Sequence, residues 1–205
     1  ISEAQDAATA AITAEERAIL GKYTGWGGLS EAFNSWKRFG DSYKKVSDYF
    51  INQDDYEIAQ NSVHTAYYTP LFINKQLWEI AQLCGFKGGK ILEGSAGTGA
   101  ILSVMPSKYK SSSSIQAVEI DNLSSKILKY LYPGAQVEQK GFEKTIIRNE
   151  SVDLAITNVP FATNYKVYDP VDKDLSSAFS SLHDFCIAKN IRKLKQGGIG
   201  IFLTS

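Results

Sequence analysis

Two short strings of this chain combine residue types that could do chemistry together. Residues 91–99 read ILEGSAGTG, and residues 156–161 read ITNVPF. Each string begins as an apolar strand and ends in a loop that cannot continue it. The first loop is rich in glycine, which lets backbone approach a ligand closely. Because ligands of open α/β sheets sit at the carboxyl ends of strands, near the switch in strand order, both loops are expected to face one crevice. One would hold a cofactor and the other a substrate.

Acidic residues follow two of the predicted strands. Glu93 opens the glycine-rich loop, and its charge suits a cationic amino group rather than a pyrophosphate. Glu119 closes the next strand, where a carboxylate can accept hydrogen bonds from both hydroxyls of a ribose, and Ile120 beside it could pack on an adenine ring. A solvent-exposed acid at a strand end without a ligand is the simpler alternative. The spacing favours a nucleoside cofactor but does not separate S-adenosyl-L-methionine from a dinucleotide.

Two further features make that separation. A dinucleotide site requires G-x-G-x-x-G, and Leu102 stands at the third glycine position. The second string also has a chemistry of its own. An exocyclic adenine amine is a poor nucleophile, and the Asn158 side-chain oxygen with the Val159 carbonyl could accept its two hydrogens. Positioning and charge stabilisation would then carry a methyl transfer. Phe161 would stack on a base flipped out of a duplex. An extended turn with a buried phenylalanine is the alternative reading.

Together these strings resemble a known family. With residues 67–70 (YYTP) upstream, the chain is similar to S-adenosylmethionine-dependent N6-adenine DNA methyltransferase domains with the gamma order of motifs. Such domains occur in large helicase-and-methylase proteins of mobile elements. The resemblance covers nearly the whole chain. It departs from the family pattern at Val159, which replaces the first proline of Asn-Pro-Pro-aromatic, and at Gly141, where the family usually has an acid before an aromatic residue.

The resemblance implies a role for each residue of the two groups. Thr69 and the free amides at a helix start would bind the carboxylate of the cofactor. The implied cofactor-binding residues are Tyr68, Thr69, Glu93, Ser95, Ala96, Gly97, Gly99, Glu119, Ile120 and Phe142. The implied catalytic residues are Asn158, Val159, Pro160 and Phe161.

The leading function is therefore transfer of a methyl group from S-adenosyl-L-methionine to the N6 amine of adenine in DNA. Two alternatives stay open at this point. One is methylation of another planar amine or amide, in RNA or in a protein glutamine. The other is a non-catalytic, cofactor-binding module of a larger helicase-like protein, its catalysis lost with Val159.

The elements that must position these residues form an α/β pattern. Residues 1–63 read as a small helical N-terminal extension, and residues 64–205 as the methyltransferase domain, a doubly wound, mostly parallel Rossmann-like sheet. A helix is expected to start with Thr69 as N-cap and Pro70 as first residue. The predicted strands are 90–93, 115–119, 135–139, 152–157 and 199–204, and the helices between them are 98–105, 123–131 and 182–194. The sheet is expected to stop after its fifth strand, without the family's recognition domain.

The charge composition limits which partners the chain can bind. The 205 residues carry 22 basic and 22 acidic side chains, so their net charge is zero. Since DNA affinity depends on lysine and arginine, the scattered pairs 37–38, 44–45 and 192–193 predict only weak DNA binding, with the main grip elsewhere in a longer parent protein. The chain lacks an initiator methionine, a signal peptide and a long apolar run, which predicts a cytoplasmic location. The histidines and the two isolated cysteines predict neither a metal site nor a disulfide.

Overall fold

A computed structural model describes residues 12–23, 25–27, 30–33, 48, 53–63, 69–160 and 166–204 of the chain. Tyr68 and Phe161, both predicted site residues, lie outside the described residues. No helix in the described part is long and apolar enough to cross a membrane.

Five parallel strands form one sheet in the order β3-β2-β1-β4-β5. Four of the strands contain a short apolar run, as the sequence pattern indicates, whereas the strand 136–139 has one apolar residue, Val137. Their bounds are β1 (Gly89–Glu93), β2 (Ser113–Glu119), β3 (Gln136–Gln139), β4 (Val152–Asn158) and β5 (Leu194–Leu203). The predicted doubly wound parallel sheet is confirmed, and β5 forms one edge of it.

Helices cover both faces of the sheet. They are α1 (Ala14–Leu20), α2 (Gln53–Ser62), α3 (Leu71–Leu83), α4 (Ala100–Ser103), α5 (Ser107–Lys110), α6 (Asn122–Leu131), α7 (Lys173–Ala178) and α8 (Leu182–Lys193). Successive strand residues point to opposite faces. Ile91 accordingly lies in a core with Trp78 of α3, and Leu92 in a core with Phe185 of α8. We name these the α3-side core and the α8-side core.

The N-terminal region has a small apolar cluster of its own. A capping box begins α1, since the side chains of Thr13 and Glu16 accept hydrogen bonds from each other's backbone N–H groups. The Trp26 ring contacts Tyr23 and Phe33 inside this region. Arg17 donates a 2.7 Å hydrogen bond to the Leu131 carbonyl at the end of α6, so α1 is attached to the main domain.

The helix boundaries differ from the predictions at informative places. Helix α3 begins at Leu71 with Pro70 as N-cap, so the prediction that Thr69 caps it is wrong: Pro70 has an extended ψ of 144° and lies outside the helix. Helix α4 is shorter than predicted because Gly99 has a left-handed φ of 83°. Helix α7 lies between β4 and α8, where the sequence pattern predicted no helix. Strand β5 begins five residues early, directly after α8.

Candidate functional site

The candidate site lies at the switch point of the sheet. β1 lies between β2 and β4, and the chain turns from one half of the sheet to the other at β1 and β4. Glu93 pairs with Ala117 of β2, and Leu92 with Ala155 of β4. Glu119 and Asn158 therefore each extend two residues beyond the level of Glu93, roughly 7 Å at the rise of a strand. The predicted meeting of the two loops at one edge of the sheet follows from this register.

Glu93 is the most deeply buried acid of the site, with 1% of its surface exposed. Its Oε2 atom accepts no hydrogen bond from the described residues. Burial raises the pKa of Glu93 well above its ordinary value, and the nearby Glu119 raises it further. A buried carboxylate oxygen without a donor is costly. The position therefore suits a cationic or hydrogen-bond-donating group, such as an ammonium.

Glu119 folds back over the glycine-rich loop. One carboxylate oxygen accepts the Gly97 N–H and the other accepts the Asp121 N–H, each at 2.7 Å. Burial raises the pKa of Glu119 to about 7, and these two N–H groups limit the rise. A carboxylate has about four acceptor positions. Glu119 therefore keeps acceptor capacity beyond these two bonds, and its predicted role toward ribose hydroxyls stays a prediction.

Hydrogen bonds to β2 and to Tyr132 hold the glycine-rich loop in place. The Ala96 N–H donates to the Val118 carbonyl at 2.9 Å, and Gly97 and Gly99 have left-handed φ values of 55° and 83°. The Tyr132 hydroxyl donates to the Gly99 carbonyl at 2.9 Å. Burial raises the pKa of Tyr132 to about 12, with a further contribution from Glu93. Tyr132 therefore stays a donor and holds the end of the loop through the Gly99 carbonyl.

The end of β4 contains Asn158, and Val159 and Pro160 follow it. The two-residue alternation puts Asn158 on the face of Leu154 and Ile156, which is the α3 side. Val159 is 1% exposed and its N–H donates to the Leu203 carbonyl at 3.1 Å. A proline at this position could not make that bond. The departure from the family motif therefore replaces a fixed backbone angle with a hydrogen bond to β5.

The segment before α3 contributes Thr69. Its carbonyl accepts a 3.2 Å hydrogen bond from the Asn74 side chain, which is fully buried on α3 and whose Oδ1 atom has no partner among the described residues. Asn74 therefore fixes the backbone of Thr69. On the opposite wall Ile120 is 52% exposed at the end of β2, so its side chain can meet a ring. Ser95 is half-buried in the loop.

Phe142 lies in the α8-side core and is only 5% exposed. A Cβ atom on Gly94 would come within 3.2 Å of the Phe142 ring, so the loop packs closely on this ring. The carboxylate of Glu143 occupies the space that a side chain on Gly141 would need. An acid therefore does lie beside Phe142, but it comes from two residues further along the chain.

Sequence reasoning missed two buried amides of this site, Asn74 and Asn190. Asn190 lies on α8, 3.1 Å from the Cβ that Gly94 would have, and its Oδ1 atom has no described partner. Asn74 lies three and four residues before the buried Leu77 and Trp78, and an amide on such an apolar stripe is the signal that could have indicated it. Asn190 shares its stripe with the buried Lys189 and Lys193, so this signal does not mark it.

The chain has a relative among curated proteins. It is 29% identical over 191 residues to the "defense against restriction protein B" of Escherichia phage P1. The match covers 92% of this chain and 7% of that protein, so the chain spans a small part of its relative. No family model matches the chain.

Solved structures share its fold. A type I restriction-modification methyltransferase subunit from Streptococcus thermophilus matches with a TM-score of 0.55 and 14% identity, over 78% of this chain and 42% of that one. A protein from Listeria monocytogenes assigned to the class I S-adenosylmethionine-dependent methyltransferases matches with a TM-score of 0.51 and 20% identity, over 81% and 51%. The fold is that of the Rossmann-like methyltransferases.

Proposed function

We propose that this chain binds S-adenosyl-L-methionine at the loops after β1 and β2 and transfers its methyl group to the N6 amine of adenine in DNA. One observation carries the proposal. At the switch point of a methyltransferase fold, a buried acid without a donor (Glu93) and a second acid (Glu119) lie beside a strand end that offers an amide and a carbonyl.

The described residues fit the cofactor. Glu93 would neutralise the ammonium of its amino-acid part, which supplies the donor that Oε2 lacks. Glu119 would accept from the ribose hydroxyls while it keeps the Gly97 N–H. When bound, the cofactor supplies an electrophilic methyl group. Ile120 offers exposed apolar surface for the adenine, and Phe142 supports the loop from beneath.

The substrate amine would meet Asn158 and Val159. The Asn158 side-chain oxygen and the Val159 carbonyl accept its two hydrogens, which leaves the nitrogen lone pair directed at the methyl group. The chemistry asks for accurate placement rather than a strong base. The Val159 N–H bond to Leu203 supports this placement, because it holds the strand end where the family motif would use a proline.

The relatives support DNA as the substrate. The names of the phage relative and of the Streptococcus thermophilus subunit both refer to restriction, a process directed at DNA. Membership of the same fold does not select adenine, since one fold hosts many substrates. The choice of adenine depends on the Asn158–Pro160 motif and its two acceptors.

Two measurements test the proposal in sequence. Isothermal calorimetry with the folded chain should detect binding of S-adenosyl-L-methionine and of its demethylated product. Mass spectrometry of nucleosides from treated DNA should then detect N6-methyladenine that disappears with Asn158→Ala. If the cofactor binds normally but no methylated base appears in DNA or RNA, the chain is a cofactor-binding scaffold rather than an enzyme. Failure of a folded sample to bind either compound would reject the whole proposal.

A further inference from the structure

Two buried lysines on α8 connect parts of the chain that lie far apart in the sequence. The Lys189 ammonium is fully buried and lies 2.6 Å from the Asp169 carboxylate. It also donates to the carbonyl oxygens of Thr145 at 3.3 Å and Glu143 at 3.5 Å. Its Nζ atom lies 5.4 Å from the centroid of the Phe142 ring.

Lys193 repeats this arrangement one helical turn later. It is also fully buried, and its Nζ atom lies 2.7 Å from the Asp172 carboxylate and 2.6 Å from the Asn149 side-chain oxygen. Burial lowers the pKa of Lys193, while the hydrogen bond and charge of Asp172 act in the opposite direction. Each lysine therefore joins the same two segments, residues 141–149 after β3 and residues 166–172 after β4.

These two segments belong to different walls of the proposed site. Residues 141–149 include Phe142, which supports the glycine-rich loop, and we name them the cofactor-side segment. Residues 166–172 follow the motif that ends at Pro160, and we name them the substrate-side segment. β1 and β2 lie between the strands from which the segments emerge. Val159 and Val167 share the α8-side core with Phe142.

Stability alone is a weak reason for such a network. A buried ion pair costs desolvation free energy, and well-packed apolar residues often serve as well or better. What an ion pair adds is a specific geometry. Two parallel links, four residues apart on one rigid helix, restrict both the distance and the angle between the segments they join.

We propose that Lys189 and Lys193, through Asp169 and Asp172, are positioning residues that hold the substrate-side and cofactor-side segments in a fixed relation. The inference rests on the proposed function, since the fixed relation serves the approach of the substrate amine to the methyl group. Neither lysine touches the reacting groups in this role. Their effect is on where Val159 and Phe142 lie relative to each other.

The test uses a variant in which no buried charge is left alone. Loss of one partner would leave the other charge buried and would destabilise the fold strongly. The double variant Lys193→Met/Asp172→Leu instead replaces both charged side chains with apolar ones of similar volume. Arg192 keeps its exposed partner Asp174 in this variant. Asp174→Asn is the matched control, because it removes the charge of an exposed partner of the same helix and leaves both lysine links intact, while Arg192 keeps its 3.3 Å contact with Asp172.

Hydrogen exchange and steady-state kinetics are the two readouts. The double variant should stay folded and show faster amide exchange in residues 141–149 and 166–172 together. Its kcat for methyl transfer should fall about 10- to 100-fold, as misplacement of reacting groups predicts. The KM for DNA and the cofactor Kd should change by less than about threefold, because the cofactor contacts of Glu93 and Glu119 are untouched. The control should show none of these changes.

The outcomes separate this inference from the proposed function. A folded double variant with normal kcat, or with faster exchange in one segment only, would overturn the positioning role. Absence of methyl transfer by the unaltered chain would reject the proposed function instead. The exchange measurement would then still decide whether the lysines couple the two segments.

Discussion

At the scale of single residues, the proposed function divides the crevice into a cofactor part and a substrate part. Glu119 lies over the glycine-rich loop through its bond from Gly97, whereas Asn158 ends a strand on the other side of β1. The two residues reach the same height at the edge of the sheet. They are therefore close enough to serve one reaction and far enough apart to be separated by mutation.

Asn158→Ala should abolish methyl transfer and leave the cofactor Kd nearly unchanged. Glu119→Ala should have the opposite effect. It should weaken cofactor binding by roughly 1.5–3 kcal/mol, because it removes a charged hydrogen-bond acceptor. Calorimetry and a methyl-transfer assay on both variants measure the two effects. Equal loss of cofactor binding in both variants would contradict this division of the crevice.

Glu93 should make the free energy of unfolding depend on pH. Its folded-state pKa is raised above the ordinary 4.5, so the folded state holds the proton more tightly than the unfolded state. Stability is therefore highest below the ordinary pKa and falls as pH rises toward the folded-state pKa. The glutamine of Glu93→Gln cannot ionise, so the free energy of unfolding of this variant should fall less as pH rises.

Thermal unfolding of both proteins at pH 5 and pH 8 checks this sign. Each pKa unit corresponds to about 1.4 kcal/mol, which is several degrees in Tm for a chain of this size. The variant should gain Tm over the unaltered protein mainly at pH 8. A gain that is the same at both pH values would mean that Glu93 does not titrate in this range.

At the scale of elements, the turn between β1 and α4 depends on α6. Gly99 has a left-handed φ, and a Cβ atom there would approach Leu128 Cδ1 to 2.8 Å and Tyr132 Cδ2 to 3.0 Å. Gly99→Ala should therefore cost about 2–4 kcal/mol, from backbone strain and overpacking. Gly134→Ala is the control, because open space surrounds that position. Denaturant unfolding should separate the two, with the control within about 0.5 kcal/mol of the unaltered protein.

The sheet was predictable because most of its strands contain a short apolar run followed by turn residues, and that pattern is local. The two acids and Asn158 were predictable for the same reason, since each stands directly after such a run. Lys189 and Lys193 were not, because a lysine on a helix ordinarily faces solvent. Their burial depends on Asp169 and Asp172, which lie about twenty residues away in the connection where no helix was predicted.

At the scale of the whole molecule, the charge of the chain limits its affinity for DNA. The net charge is zero, and the structure reduces the available positive charge further. Lys193 is buried against Asp172, and Arg192 pairs with Asp174, so the pair 192–193 does not present free charge to a phosphate backbone. The pairs 37–38 and 44–45 lie outside the described residues.

We therefore expect weak binding of duplex DNA at physiological salt, no tighter than the ~10⁻⁴–10⁻⁶ M of non-specific complexes, with little sequence preference. Fluorescence anisotropy with several duplexes across a salt series measures both properties. A nanomolar, sequence-selective complex would show that this chain reads DNA itself. Recognition would then not have to come from other regions of a longer protein.

The edge strand β5 has a consequence for how this chain behaves in concentrated solution. It is ten residues long and pairs with β4 alone among the described strands, whereas the opposite edge strand β3 has four residues. A long row of unpaired N–H and C=O groups is a template for another strand. Copies of the chain should therefore associate reversibly, edge to edge, as concentration rises, and sedimentation velocity would show the average mass increasing. Because the long free edge lies on one side only of the described sheet, this association should stop at two copies joined through β5.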